Sequence, residues 1–174
     1  MSSRSEPAIR RAVPADADAL VDIFARSIRE LAPPFYTRDQ VEAWASSLTV
    51  ERAQTLIVDH VTYVAEIDTA GLDAAVLRGV APGARVIGFA TFAEPDQFEM
   101  LYVDPERTMQ GVGAALAAVV EQHARALGVR RLGATASDCA RLAFESFGFR
   151  HEQPHTRTLD GHEFSVTLMT MALH

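Results

Sequence analysis

Apolar and polar positions change period several times along this chain, and each change marks an element. A short alternating stretch over residues 8–13 reads as a first strand, closed by Pro14. Pro14-Ala15-Asp16 then opens a helix whose Leu20, Ile23, Phe24, Ile28 and Leu31 fall on one face, and Pro33-Pro34 ends it. Thr37-x-x-Gln40 has the capping-box form, with Val41, Trp44 and Leu48 as the apolar side of a second helix. Thr49 caps a third helical piece running to Leu56. From Ile57 the period falls to two: Val61, Tyr63, Ala65 and Ile67 alternate, which predicts a strand over 60–68. Residues 69–84, rich in small residues and glycine, read as a long loop or decorated hairpin. Strands follow over 86–92 and 97–103, antiparallel across Glu94-Pro95-Asp96. A helix over 110–127 carries apolar residues at 112, 116, 119, 120 and 127, with Ala115 and Ala124 in the same stripe, and Gly128 stops it. A strand over 131–136, a helix over 138–147 stopped by Gly148, and strands over 149–158 and 162–172 turning at Asp160-Gly161 complete the pattern.

This order predicts an α/β fold: a mixed, mainly antiparallel central sheet with helices on both faces and one helix entering from the middle of the sheet. A length of 174 residues fits one domain spanning 1–174 with a sizeable core. No apolar run approaches the ~20 residues that cross a bilayer, and MSSRSEPAIRR lacks the apolar centre of a signal peptide. The lone Cys139 leaves no internal disulfide and points to the cytoplasm. A net charge of −7 with no basic patch argues against nucleic acid as a partner and leans toward a cationic one.

Candidate chemistry centres on FEMLYVDPERTMQGVGAALAAVVEQHARAL, residues 98–127. Asp104-Pro105 breaks the strand, and Gly111-Val112-Gly113 opens the helix without a side-chain cap. Such a helix start presents unbonded N–H groups and about half a positive charge, the makings of an anion site. An ordinary turn using glycine for its backbone freedom is the alternative. Ala114-Ala115 stand where a Walker-type loop needs Lys-Ser/Thr, and Leu116 stands where the dinucleotide fingerprint needs a small residue.

Two blocks of this chain resemble the GNAT superfamily of acyl-CoA-dependent N-acetyltransferases. LYVDPERTMQGVGAAL is similar to the family's Gln/Arg-x-x-Gly-x-Gly/Ala motif through Gly111 and Gly113, with Thr108 in the Gln/Arg position. ASDCARLAFESFGF is similar to its Asn-x-x-Ala-x-x-Leu-Tyr-x-x-x-Gly-Phe stretch through Ala140, Gly148 and Phe149. Ser137, Ala143 and Phe144 replace the Asn, Leu and Tyr of that stretch, and FYTRDQVEAWA resembles one bacterial branch. The resemblance implies that the strands ending at Val103 and starting at Arg131 splay apart around the thioester arm of acetyl-CoA. Backbone groups of Leu101 and Val103 would pair with pantetheine. The amides of Met109, Gln110, Gly111, Val112, Gly113 and Ala114 would hold the pyrophosphate, with a hydroxyl bond from Thr108. Backbone N–H groups near Leu101 and Tyr102 would serve the oxyanion if the strand bulges there, and Ser137 and Phe144 would complete the cofactor side. A homodimer through the closing strands would suit such a fold.

Transfer to a primary amine needs a base, because an alkylamine with a pKa of about 10 is protonated at neutral pH. Glu99 is the candidate, two residues before Leu101 and so expected on its face. Phe144 cannot protonate the leaving thiolate. Water, or one of Cys139, Ser137, Tyr102 and Tyr36, would have to do so. Trp44, Phe35 and Tyr36 would line the acceptor site, which would take a small-molecule or peptide amine. His151, His155 and His162 form no metal-binding motif. The alternative to an enzyme is a non-catalytic acyl-CoA sensor on the same fold, favoured by Thr108 and Phe144.

Overall fold

The computed structural model describes residues 7–69 and 83–174, so most of the loop expected over 69–84 lies outside the described residues. The chain runs β1 (Ala8–Arg11), α1 (Ala17–Leu31), α2 (Arg38–Ala45), α3 (Val50–Asp59), β2 (Val61–Asp68), β3 (Ala84–Ala93) and β4 (Gln97–Val103). It continues with α4 (Val112–Ala126), β5 (Arg131–Ser137), α5 (Arg141–Ser146), β6 (Arg150–Leu159) and β7 (His162–Ala172). Seven strands form one sheet in the order β1-β2-β3-β4-β5-β7-β6. Every neighbouring pair is antiparallel except β4 and β5.

The expected helix signals act where they were read. Thr37 Oγ1 accepts from the Gln40 amide while Gln40 Oε1 accepts from the Thr37 amide at 2.7 Å, reciprocally satisfying two end donors of α2. Thr49 caps α3, which runs on to Asp59 because Ile57 packs one helical turn beyond Ala53 rather than opening the strand. Leu31 and Leu127 hold the right phase for their helices, but they fall at helix ends and remain 39% and 52% exposed. The helix expected over 138–147 begins only at Arg141, since residues 138–140 form a turn held by the Ala140 amide on the Ser137 carbonyl. Asp160 and Gly161 both take positive φ, as a two-residue hairpin turn requires.

A separate core lies on each face of the sheet. One packs α4 and α5 on Ile87, Phe92, Phe98 and Leu132, with Phe144 and Phe149. The other packs α1, α2 and α3 on Val64, Phe89, Phe164 and Val166. Gly88 admits α4 to β3: a Cβ there would lie 3.0 Å from the Tyr102 carbonyl oxygen and 3.2 Å from the side chains of Leu116 and Val112.

Candidate active site

β4 is where the sheet opens. It pairs with β5 only at Gln97–Gly133 and Phe98–Ala134; beyond Phe98 no further pairs join the two strands. On the β3 side, Phe92 faces Phe98 while Thr91 faces Met100, so Glu99 is one residue more than β3 can pair. The bulge corrects the expected geometry of Glu99. Phe98, Leu101 and Val103 pack toward α4, whereas Met100 and Tyr102 pack toward α1. Counting by twos therefore fails across Glu99, which stands exposed at the bulge. The bulge lies at Glu99, two residues before the stretch where a displaced backbone was expected.

The pairing phase decides which backbone groups are free. Antiparallel neighbours exchange hydrogen bonds at alternate residues. Asp104 donates its amide to the Ile87 carbonyl at 2.8 Å, so Tyr102 and Met100 turn their backbone to β3. Leu101 and Val103 turn theirs to the opened side, where an extended ligand finds an unpaired strand edge.

Past Val103 the chain makes a 3-10 turn at Pro105–Arg107, then reverses through Met109 at φ 58° and Gly111 at φ 85°. Left-handed residues alternating with right-handed ones gather successive N–H groups into a concave cluster. Among the described residues, no amide of 109–114 is bonded to another protein group; the first helix-start bond is Ala115 to the Gly111 carbonyl. A Cβ on Gly111 would meet nothing within 4 Å, so backbone conformation rather than crowding demands glycine there. On Gly113 it would sit 3.7 Å from Phe147 and 3.8 Å from Val103, narrowing the gap between β4 and α5. The Thr108 side chain differs from expectation, and the Gln110 side chain turns the same way. Thr108 donates its hydroxyl proton to the Pro105 carbonyl, and Gln110 its side-chain amide to the Glu106 carbonyl. Both tie the loop to itself, leaving backbone amides as its outward donors.

Asp104, read in sequence only as a strand breaker, anchors this loop. Its carboxylate is 1% exposed and accepts from both terminal nitrogens of Arg26 at 3.2 Å, from Arg85 at 2.9 Å and from the Glu106 amide at 3.0 Å. No local pattern signals this cluster, because Arg26 comes from α1 and Arg85 from β3.

The α1 side of the opening is lined by side chains. Tyr36 donates its hydroxyl to the Ser165 carbonyl at 2.7 Å and accepts the Asp138 amide at 2.9 Å, clamping the end of β5 to β7. Burial pushes its pKa up to about 12. Tyr36, Trp44 and Phe164 form a three-ring cluster with centroids 5.5 to 6.0 Å apart. Tyr102 lies between Phe24 and Phe89, and burial holds its hydroxyl well above the usual range. Ser137 and Cys139 share a 3.2 Å contact beside it, and burial raises the Cys139 thiol. Phe35, also expected at the acceptor site, is 53% exposed. Phe144 is buried among Phe98, Phe147 and Phe149, with centroids 5.2 to 6.0 Å away.

A strand opening beside a cluster of unbonded amides is built for a ligand with an extended arm and an anionic group, and comparison with known proteins names the family. Residues 34–173 match the family model for the acetyltransferase (GNAT) domain. The uncharacterized N-acetyltransferase YafP of Escherichia coli (strain K12) is 30% identical over 142 residues, covering 82% of this chain and 80% of that protein. A GCN5-related N-acetyltransferase structure from Rhodopseudomonas palustris superposes with a TM-score of 0.85 at 31% identity, covering 99% of each chain. The PaiA N-acetyltransferase of Thermoplasma acidophilum, solved in complex with coenzyme A, has a TM-score of 0.70 at 18% identity, covering 95% of this chain and 98% of that one. The chain belongs to the GNAT family of N-acetyltransferases. Among the described residues, no helix is long and apolar enough to cross a membrane.

Proposed function

We propose that this protein moves an acetyl group from acetyl-CoA directly to the primary amine of a small molecule or peptide within a ternary complex. The observation that carries the reading is the pair of unbonded backbone surfaces, Leu101 and Val103 on β4 and residues 109–114 before α4. Pantetheine adds to the first as an extended edge, and the pyrophosphate sits on the second, where amides and the helix dipole favour negative charge. The PaiA structure, with coenzyme A in the same fold, supports this assignment.

Glu99 takes the proton of the acceptor ammonium, directly or through water, so that the free amine attacks the thioester carbonyl. The N–H groups at the bulged part of β4 stabilise the oxyanion. When the C–S bond breaks, the thiolate needs a proton that Phe144 lacks. Tyr36 has committed its hydroxyl proton to Ser165, whereas among the described residues nothing accepts the Tyr102 hydroxyl proton, which stays available to give. Tyr102 is the donor in this reading, and burial keeps it protonated at neutral pH. The unpaired Cys139 supports a cytoplasmic location.

The test is CoA release over a panel of amines, with wild type and Glu99→Gln. Removing the base should lower kcat by about 10²–10⁴-fold, with acetyl-CoA affinity retained. Equal rates for both proteins across the pH range would remove Glu99 from the mechanism. Tight acetyl-CoA binding without turnover on any amine would favour the non-catalytic sensor.

A further inference from the structure

The acceptor side of the opening holds a cation that the transfer chemistry leaves unused. Arg157 lies on β6 directly opposite Phe164 on β7. Directly opposed residues of an antiparallel pair project from the same face of the sheet. Phe164 packs on Tyr36 and Trp44, so Arg157 emerges on the acceptor face of the opening. His155, opposite Val166, emerges on that face as well, and Val166 in turn faces Ser137 across β5.

Glu99 stands at the β4 bulge, where the sheet opens. Among the described residues Arg157 has no carboxylate partner; Glu152, on the same strand, pairs with Arg131. A guanidinium beside an aromatic wall, with a carboxylate at the bulge of the same opening, is complementary to a ligand carrying both signs of charge. An amine with no other charge, or a polyamine, would meet Glu99 and be repelled by Arg157.

We propose that the natural acceptor is a zwitterionic amine of the amino-acid class, its ammonium directed to Glu99 and its carboxylate to Arg157. This rests on the acetyltransferase reading. It runs against the preference for a purely cationic partner that the overall charge of −7 implied, because the local arrangement rather than the net charge meets the substrate.

The experiment compares α-amino acids with their decarboxylated amines: phenylalanine with phenethylamine, methionine with 3-methylthiopropylamine, arginine with agmatine. Initial rates of CoA release are measured for wild type, Arg157→Ala and Arg157→Lys, with acetyl-CoA binding measured on each to establish folding. For wild type, kcat/KM should favour the amino acid in its best pair by about tenfold or more, as a charge-assisted carboxylate bond warrants. Arg157→Ala should collapse that ratio through KM rather than kcat, and Arg157→Lys should restore part of it. Wild-type rates equal for both members of every pair, or higher for the decarboxylated ones, would overturn the proposal while leaving the transferase intact. A ratio unmoved by Arg157→Ala would overturn it equally. Bound acetyl-CoA with no CoA release from any amine would remove the transferase reading and this proposal together.

Discussion

The two sides of the opening between β4 and β5 are built from different materials. On the α4 side the donors are backbone amides, arranged by a left-handed Met109, a left-handed Gly111 and the start of one helix. On the α1 side the groups are side chains drawn from α2, β4, the β5–α5 turn and the β6–β7 hairpin. In the proposed reading the first holds an anionic diphosphate and an amide-bearing arm. The second varies in side chains rather than in backbone, which is where the proposed acceptor choice belongs. A GNAT relative can therefore keep the cradle and change its substrate.

The comparison breaks most forcefully at Asp104, which joins the halves by tying α1 and β3 to the cradle loop. Asp104→Asn should cost about 2–4 kcal/mol of stability, because two arginines lose a buried counter-charge. Urea melts should show this, together with weakened acetyl-CoA binding. Stability within a few tenths of a kcal/mol of wild type would mean that the cluster is ornamental. Next in size is Tyr102→Phe, which keeps the ring between Phe24 and Phe89 but removes the proton donor. It should lower kcat by about 10–100-fold and leave acetyl-CoA affinity alone; an unchanged kcat would hand the proton to water.

Gly111→Ala tests the backbone side alone. Nothing crowds the new methyl, so the cost is conformational, about 1 kcal/mol. Acetyl-CoA should bind several-fold more weakly, with relative rates among acceptors unaltered. A shift in acceptor preference would mean that the two sides are not separable.

The smallest effect lies outside both. Arg10 holds the Asp16 carboxylate below its usual pKa of 3.8 by a 2.7 Å bond, offset in part by burial. A depressed carboxylate stabilises the fold fully above 3.8 and loses that stabilisation as pH falls through the lower folded value. Wild type should exceed Asp16→Asn by about 1 kcal/mol or less at pH 7, since Arg10 is partly exposed. The gap should shrink in strongly acidic solution.

The same division governs what could be read from the residues alone. The cradle was legible because backbone chemistry leaves a local mark: glycine at 111 and 113 between a strand and an amphipathic helix. The sheet and most helix starts were legible for the same reason, since period and caps are local. The position of Glu99 was not. The run Met100-Leu101-Tyr102-Val103 is apolar throughout and hides the phase, and only pairing with β3 reveals the extra residue. The Asp104 cluster escaped because Arg26 lies 78 residues away in sequence. Thr108 offered a hydroxyl donor, but the Pro105 carbonyl was the nearer partner. Tyr36 reads in sequence as an acceptor-site aromatic and a candidate proton donor, and only the fold shows its hydroxyl bridging Ser165 and Asp138.

The central claim is that unbonded amides at residues 109–114 grip a diphosphate. The most direct measurement is an amide-resolved NMR titration of the whole chain with acetyl-CoA and, separately, with dephosphorylated pantetheine. Acetyl-CoA should move the amide resonances of residues 109–114 together with those of Leu101 and Val103, while the pantetheine fragment should move only the latter pair. Saturating acetyl-CoA that leaves the resonances of 109–114 in place would contradict the account.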